Sequence, residues 1–216
     1  TPPSNPATMP KTPTIVSLNP CTDAILAQVA DPGQLLAISS YSHDPVASSM
    51  DIAVARRFRA VSGSVEEVAA IGPQVVVAST FLDPASFGAL NGLGFRVVRV
   101  PIASDIASTR KQVRELASLA GHPERGEALV AQIDEALARA APPSGWKPVP
   151  ALVWQSGGLV AGNATLIADM MRRAGFENAV SARGLGQADY LPLESVLADP
   201  PRIIFSIGNP KPHGQD

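Results

Sequence analysis

A single cysteine in 216 residues excludes an internal disulfide and any multi-cysteine metal site. Basic residues are not in excess: 17 Lys and Arg stand against 19 Asp and Glu, giving a net charge of −2 and a pI near 5.9. Nucleic acid needs a basic face to neutralise its phosphates, so it is excluded as the main partner. The uninterrupted apolar runs are strand-sized, far short of the ~20 residues that a membrane-spanning helix requires. No Walker motif and no metal-ligand spacing occur. Gly92-Leu-Gly94 and Gly184-Leu-Gly186 lack the full dinucleotide fingerprint and do not follow the first strand. Ser42, His43 and Asp44 are adjacent, whereas a catalytic triad needs side chains converging from separate segments. The expectation is a protein that is not an enzyme and carries no cofactor or metal of its own. Aromatic residues make up only 5% of the chain, which gives weight to those that fall at the ends of elements.

What is present is enough apolar sequence, 45%, to bury a substantial core in one large or two small domains. Residues 1–13 hold five prolines and read as a flexible tail. No hydrophobic signal remains in it, so it reads either as the odd tail of a cytoplasmic protein or as the start of a mature chain after signal removal. Strands and helices then alternate. Thr14 to Leu18 is a strand, Asn19-Pro20 starts a helix that runs to Val29, and Leu35 to Ser39 is a second strand. A polar loop with Arg56, Arg57 and Arg59 follows. Strands are expected again at Val75–Ala78, Phe95–Val100 and Pro150–Trp154, and helices at Pro84–Leu93, Ser104–Leu119, Pro123 to about Ala141, and Asn163–Ala174. The helix from Pro123 is about 28 Å long. Cys21 reads as a small buried residue at a helix start, and His122 as helix punctuation. His213 lies in a Pro- and Gly-rich end.

This alternation predicts parallel sheets with helices on both faces. The boundaries are an N-terminal α/β lobe at 14–121, a bridging helix at 122–142 and a C-terminal α/β lobe at 149–216. One pattern occurs in both lobes. Val65-Glu-Glu-Val-Ala-Ala-Ile-Gly-Pro-Gln-Val-Val-Val-Ala78 and Leu193-Glu-Ser-Val-Leu-Ala-Asp-Pro-Pro-Arg-Ile-Ile-Phe-Ser206 align without a gap. Each reads as a short helix, a proline-containing turn and a buried parallel strand. Glu66 and Glu194 hold the same place in the two copies, and Glu67 has a separate capping role with Ser64. Ligands of parallel α/β sheets sit at the carboxyl ends of the strands, where Tyr41, Phe81 and Trp154 fall. Their flat apolar surfaces suit a large, partly apolar macrocycle; Tyr190 is a further candidate contact. His43 is either a metal-coordinating imidazole or part of an ordinary Ser-His-Asp-Pro turn.

The order of elements, together with Ile15-Val-Ser-Leu18, Ile38-Ser-Ser-Tyr-Ser42 and Ile203-Ile-Phe-Ser-Ile-Gly208, resembles the substrate-binding proteins of ABC importers for cobalamin, haem and iron siderophores. The Ser-Ser-Tyr-Ser loop is similar to one that presents a ligand-stacking tyrosine in cobalamin-binding members. The resemblance implies two Rossmann-like lobes joined by one long helix, with the ligand in the cleft between them. It also implies a monomer of the periplasm that delivers its ligand to an ABC permease in the inner membrane. Glu66 and Glu194 match the glutamates with which this family docks onto arginine pockets of the permease. Cobalamin is the first expectation for the ligand, haem the second through His43, and a ferric siderophore the third through Arg56, Arg57 and Arg59. Family members continue past the last strand, so the second lobe reads as cut short.

Overall fold

Short runs of β-branched residues alternate with helices from Ile15 onwards, and the computed structural model, which describes residues 12–181 and 187–206, divides them into two α/β units. The first unit takes residues 1–102 and 111–131. Its sheet has the strands β1 (Ile15–Ser17), β2 (Leu35–Ser39), β3 (Ala60–Val61), β4 (Val75–Ser79) and β5 (Arg96–Val100). All pairings are parallel, in the order β3-β2-β1-β4-β5. Because side chains alternate across a strand, Ile15, Val75 and Val77 join one buried cluster with Leu26, Val29 and Leu116. Val16 and Val76 join the other, with Val68 and Leu90. A central strand covered on both faces must be apolar at every position, which is why Val75-Val-Val-Ala78 shows no polar alternation.

The helices of this unit begin where the sequence places caps. In α1 (Pro20–Val29) the Asn19 side chain accepts the Cys21 N–H at 2.9 Å, with Pro20 at the first helical position. The buried stripe of α1 is Thr22, Asp23, Leu26 and Val29. Cys21 falls off that stripe and is exposed, contrary to the expectation that it is buried. In α3 (Val65–Ile71) Ser64 Oγ accepts the Glu67 N–H at 3.2 Å. The Glu67 carboxylate does not close the box on Ser64. It accepts the Ser62 hydroxyl at 2.5 Å and the Ser62 N–H at 2.7 Å, and these bonds hold its carboxyl below the usual range. Gly72 ends α3 in the left-handed region, φ 66°. Between β2 and α3 lie α2 (Ile52–Ala55) and β3, in a stretch that reads as a polar loop because both are too short to show a period. The helix α4 (Pro84–Gly92) connects β4 to β5.

Helices α5 (Ile106–Ala120) and α6 (Pro123–Ala140) each contribute residues to both units. In the first unit they cross closely at Gly126, where a Cβ would stand 2.6 Å from Ala117 Cβ. Arg114 bridges to Glu127 through two bonds of 2.7 and 3.0 Å beside that crossing. His122 does more than punctuate the chain. Its Nε2 lies 3.0 Å from Asp31 Oδ2 without completing a hydrogen bond, while Arg125 bonds Asp31 Oδ1 at 2.7 Å and the Val29 carbonyl at 3.0 Å. The start of α6 is thereby tied to the end of α1, and the Arg125 hydrogen bond holds the Asp31 carboxyl below its usual range.

The second unit takes residues 103–110 and 132–216. Its strands are β6 (Val149–Trp154), β7 (Leu159–Ala161), β8 (Phe176–Asn178), β9 (Ala188–Tyr190) and β10 (Ile203–Ser206), with helices α7 (Leu166–Arg173) and α8 (Leu193–Ala198). Here β8 and β10 run parallel to β6, but β7 is antiparallel to β6 and β9 is antiparallel to β7. The sheet is therefore mixed, where the sequence predicts a parallel one. The antiparallel strands have three residues each, below the length at which alternation shows. The strand β10 also departs from expectation: it is parallel, but three of its four residues are exposed.

A buried carboxylate organises this unit. Asp169, on α7, is 3% exposed; it accepts the Ile106 N–H at 2.9 Å and Arg173 Nε at 2.9 Å, and bonds Arg172 as well. It therefore caps α5 from another helix. Burial works against its charge, but the Ile106 N–H and the two guanidiniums outweigh it and hold the carboxyl below the usual range. No helix of the described residues is long and apolar enough to cross a membrane.

Candidate functional site

In the first unit the chain leaves β1 in two directions. The strands β2 and β3 lie on one side, β4 and β5 on the other, so the carboxyl ends of β1 and β4 mark a topological switch point. Tyr41 and Phe81 follow the strands that flank β1. Both are presented by the same local device. The last serine of each strand accepts the N–H of the residue two places on: Ser39 Oγ from Tyr41 at 3.3 Å, and Ser79 Oγ from Phe81 at 3.1 Å. These turns end the strands and leave Tyr41 63% and Phe81 76% exposed. The signal was present in the sequence as Ser-x-aromatic at two strand ends.

Tyr41 sits in the 3₁₀ turn Ser40–His43. His43 Nε2 lies 3.1 Å from the Ala55 carbonyl. A carbonyl only accepts, so this nitrogen carries the hydrogen and the lone pair resides on Nδ1. Under the turn is a run of buried polar side chains that sequence reading missed: Ser17, Thr22, Asp23, Ser39 and Ser42, none more than 4% exposed. Asp23 Oδ2 accepts both the Ser39 N–H at 3.0 Å and the Ser42 hydroxyl at 2.7 Å. The Ser17 hydroxyl is 2.8 Å from Thr22 Oγ1, and Asp23 Oδ1 completes no hydrogen bond among the described residues. Burial pushes the Asp23 carboxyl up to about 7, against the lowering effect of the neighbouring hydroxyls. A charged residue on the core stripe of α1 was the signal available in the sequence.

Two of the three loop arginines lie elsewhere, whereas Arg56 follows Ala55, whose carbonyl meets His43. Arg57 and Arg59 line a groove with Pro32, Gly33, Leu35 and Leu36 at the amino end of β2, the end opposite Tyr41. In the second unit β6 ends at Trp154, and Gly157 and Gly158 turn the chain with φ of 73° and 83°. A Cβ on Gly158 would meet the Leu191 carbonyl at 3.1 Å and the Trp154 ring at 3.4 Å. Trp154 is thus partly buried and packs on Leu152, Val160 and Leu191. Tyr190, opposite Leu159 in the β7–β9 ladder, is 69% exposed and lies beside Gly157. Glu66 and Glu194 occupy the first turns of α3 and α8 and are exposed. Neither has a hydrogen bond or ion pair among the described residues. No group of three or more His, Cys, Asp or Glu positioned for a metal ion occurs among the described residues. His213 lies outside them.

Each of the two α/β units carries aromatic side chains at or just after the ends of its strands. The chain belongs to the periplasmic binding protein family, whose model matches residues 15–215. No curated protein matches it in sequence. Among solved structures it is similar to the periplasmic haem-binding protein RhuT from Roseiflexus sp. RS-1. That match has 21% identity, covers 90% of this chain and 76% of the other, and has a TM-score of 0.71. It is also similar to the haem-binding protein HutB of Vibrio cholerae, with 16% identity, coverage of 91% and 76%, and a TM-score of 0.74. The vitamin B12-binding protein BtuF of Vibrio cholerae matches with 17% identity, coverage of 89% and 75%, and a TM-score of 0.69. These likenesses show the fold, that of the helical-backbone periplasmic binding proteins.

Proposed function

We propose that the chain is the periplasmic solute-binding component of an ABC importer, and that its solute is a metal-chelating macrocycle, cobalamin first. The observation that carries this reading is the pair of outward-turned aromatics at the switch point of the first unit, Tyr41 and Phe81. Exposed rings at a sheet's carboxyl edge suit a flat, partly apolar ligand that buries them. Tyr190 and Trp154 are the contacts assigned to the second unit. Family membership and the haem- and B12-binding relatives support the solute class. The placement of Arg57 and Arg59 at the other end of the sheet favours a macrocycle over an anionic siderophore, which stays the third reading through Arg56, the neighbour of Ala55.

Haem is the second reading, and one observation favours it. A phenol is an accepted haem iron ligand, and that of Tyr41 is exposed; His43 would have to bind through Nδ1 while Nε2 stays on Ala55. Glu66 and Glu194 are assigned to permease docking, where carboxylate–guanidinium contacts set the fit.

The test is a titration of the purified protein with cyanocobalamin and with haemin, followed by calorimetry and visible absorbance. One-to-one cobalamin binding that weakens about tenfold in Tyr41→Ala and is kept in Tyr41→Phe supports the first reading, since stacking needs the ring alone. A Soret shift with haemin that is lost in Tyr41→Phe moves the ligand to haem. Binding of neither overturns the macrocycle. Replacing Glu66 and Glu194 together by Ala is expected to abolish import with affinity changed less than about twofold, because exposed rim charges contribute little to a distant site. A large loss of affinity would show that these residues belong to the ligand site.

A further inference from the structure

A buried aspartate is an expensive way to satisfy two hydrogen-bond donors, and Asp23 is placed where the expense has a use. It is fully buried, has no cation bonded to it among the described residues, and leaves Oδ1 without a hydrogen bond. Its other oxygen joins two points of the chain that bracket Tyr41. The Ser39 N–H belongs to the last residue of β2, and the Ser42 hydroxyl to the middle of the turn. Ser42 is wholly buried while its neighbour Tyr41 is 63% exposed. The turn is pinned at Ser39 and Ser42 by Asp23, and at His43 by the Ala55 carbonyl. Tyr41 is left as the residue that projects. Phe81, the other outward aromatic, is held by its own serine turn and by the Thr80 N–H on the Val100 carbonyl, with no buried carboxylate behind it among the described residues.

We infer that Asp23 is a positioning residue for solute capture: its carboxylate fixes the 39–43 turn and thereby the direction in which Tyr41 meets the ligand. This rests on the reading of Tyr41 as a ligand contact. The anchoring of the turn is testable without any ligand. Fixing one rigid side chain before binding removes an ordering cost that would otherwise weaken the complex.

The experiment compares the full chain with Asp23→Ala, Asp23→Asn and Ser42→Ala by amide hydrogen exchange and by titration with cyanocobalamin and haemin. In Asp23→Ala, exchange over residues 38–44 is expected to speed up at least about tenfold while β4 stays protected, because local opening follows the lost bonds. Binding of whichever macrocycle the parent takes is expected to fall about tenfold, the worth of one or two hydrogen bonds. Asp23→Asn keeps the shape and one acceptor oxygen, and is expected to recover most of both properties. Ser42→Ala removes one of the two tethers and falls between. Unchanged exchange in the turn, or an equal rise across β1 and β4, overturns the anchor. A loosened turn with unchanged affinity overturns the positioning role. If the parent binds neither macrocycle, the proposed solute fails, and the exchange comparison still decides whether Asp23 holds the turn.

Discussion

The helix–turn–strand pattern that occurs twice in the chain is realised twice, with the same register and opposite exposure. Val75 pairs with Ile15 on the first strand of the first unit, and Ile203, its counterpart, pairs with Ala151 on the first strand of the second. Val68 and Val196, the buried anchors of α3 and α8, also correspond. Beyond that the copies part. The strand β4 has β5 on its far side and is buried, whereas β10 stands at the edge of its sheet among the described residues, with Ile204 50% and Phe205 39% exposed. The helix α3 is capped by Ser64 and closed by Gly72, whereas α8 starts on Pro192 without a side-chain cap and ends on Asp199 outside the left-handed region. A repeated pattern thus determines a local element and its nearest neighbour. Burial depends on what lies one strand further out.

The two units differ in the same way in their buried acids. Asp169 meets two arginines and a helix N–H and is held below the usual carboxylate range. Asp23 meets hydroxyls and one amide and is pushed up to about 7. Desolvation acts on both, and the sign of the outcome follows the presence of cations.

The first expected effect separates these acids. Asp169→Ala leaves the Ile106 N–H without its acceptor and removes the partner of two arginines whose own side chains are largely exposed, which is expected to cost about 2 kcal/mol in urea unfolding. A loss within ~0.5 kcal/mol would mean that water replaces the cap. Next come equivalent positions of the repeat. Val76→Ala empties fully buried space and is expected to cost about 2 kcal/mol, against less than about 1 for Ile204→Ala at the exposed edge. Equal costs would show that β10 is covered in solution.

The acids also predict opposite pH dependences. A raised folded-state pKa means that the native chain binds the Asp23 proton more tightly than the unfolded chain. Its stabilising effect is present below the ordinary carboxylate pKa and lost as pH rises to about 7. The stability of the parent relative to Asp23→Asn is therefore expected to fall by roughly 1.4 kcal/mol per pH unit between about pH 4 and 7, then level off. Unfolding curves at pH 5, 6, 7 and 8 measure this, and a flat difference would place the Asp23 pKa near its ordinary value. The depressed Asp169 contributes the reverse: stability held above the ordinary pKa and lost as pH falls through the folded value. The smallest effect is at the caps. Gly72→Ala forces a Cβ into φ 66° and is expected to cost about 1 kcal/mol, while Asp199→Ala at the matching end of α8 is expected to cost less than about 0.5.

Much of this molecule was legible before it was folded. Asn19-Pro20, Ser64 and Gly72 mark helix boundaries through bonds made within a few residues, and the Val75 strand shows its burial in its composition. Tyr41 and Phe81 were recognisable because a strand end is a local event. The strands β7, β8 and β9 were not, because three residues carry no period and their pairing comes from segments far away in the chain. Burial separates Trp154, partly buried against the core cluster of its unit, from Tyr190, exposed on its ladder; no local pattern distinguishes them. The sequence by itself determined the alternation of elements, the repeat with Glu66 and Glu194, and the aromatic residues at the strand ends. Only the tertiary structure decided which copy of the repeat is buried, that Arg57 and Arg59 lie at the wrong end of the sheet for Tyr41, and that Asp23 stands beneath its turn. Those depend on desolvation and on partners brought together from distant parts of the chain, and neither is a property of any one segment.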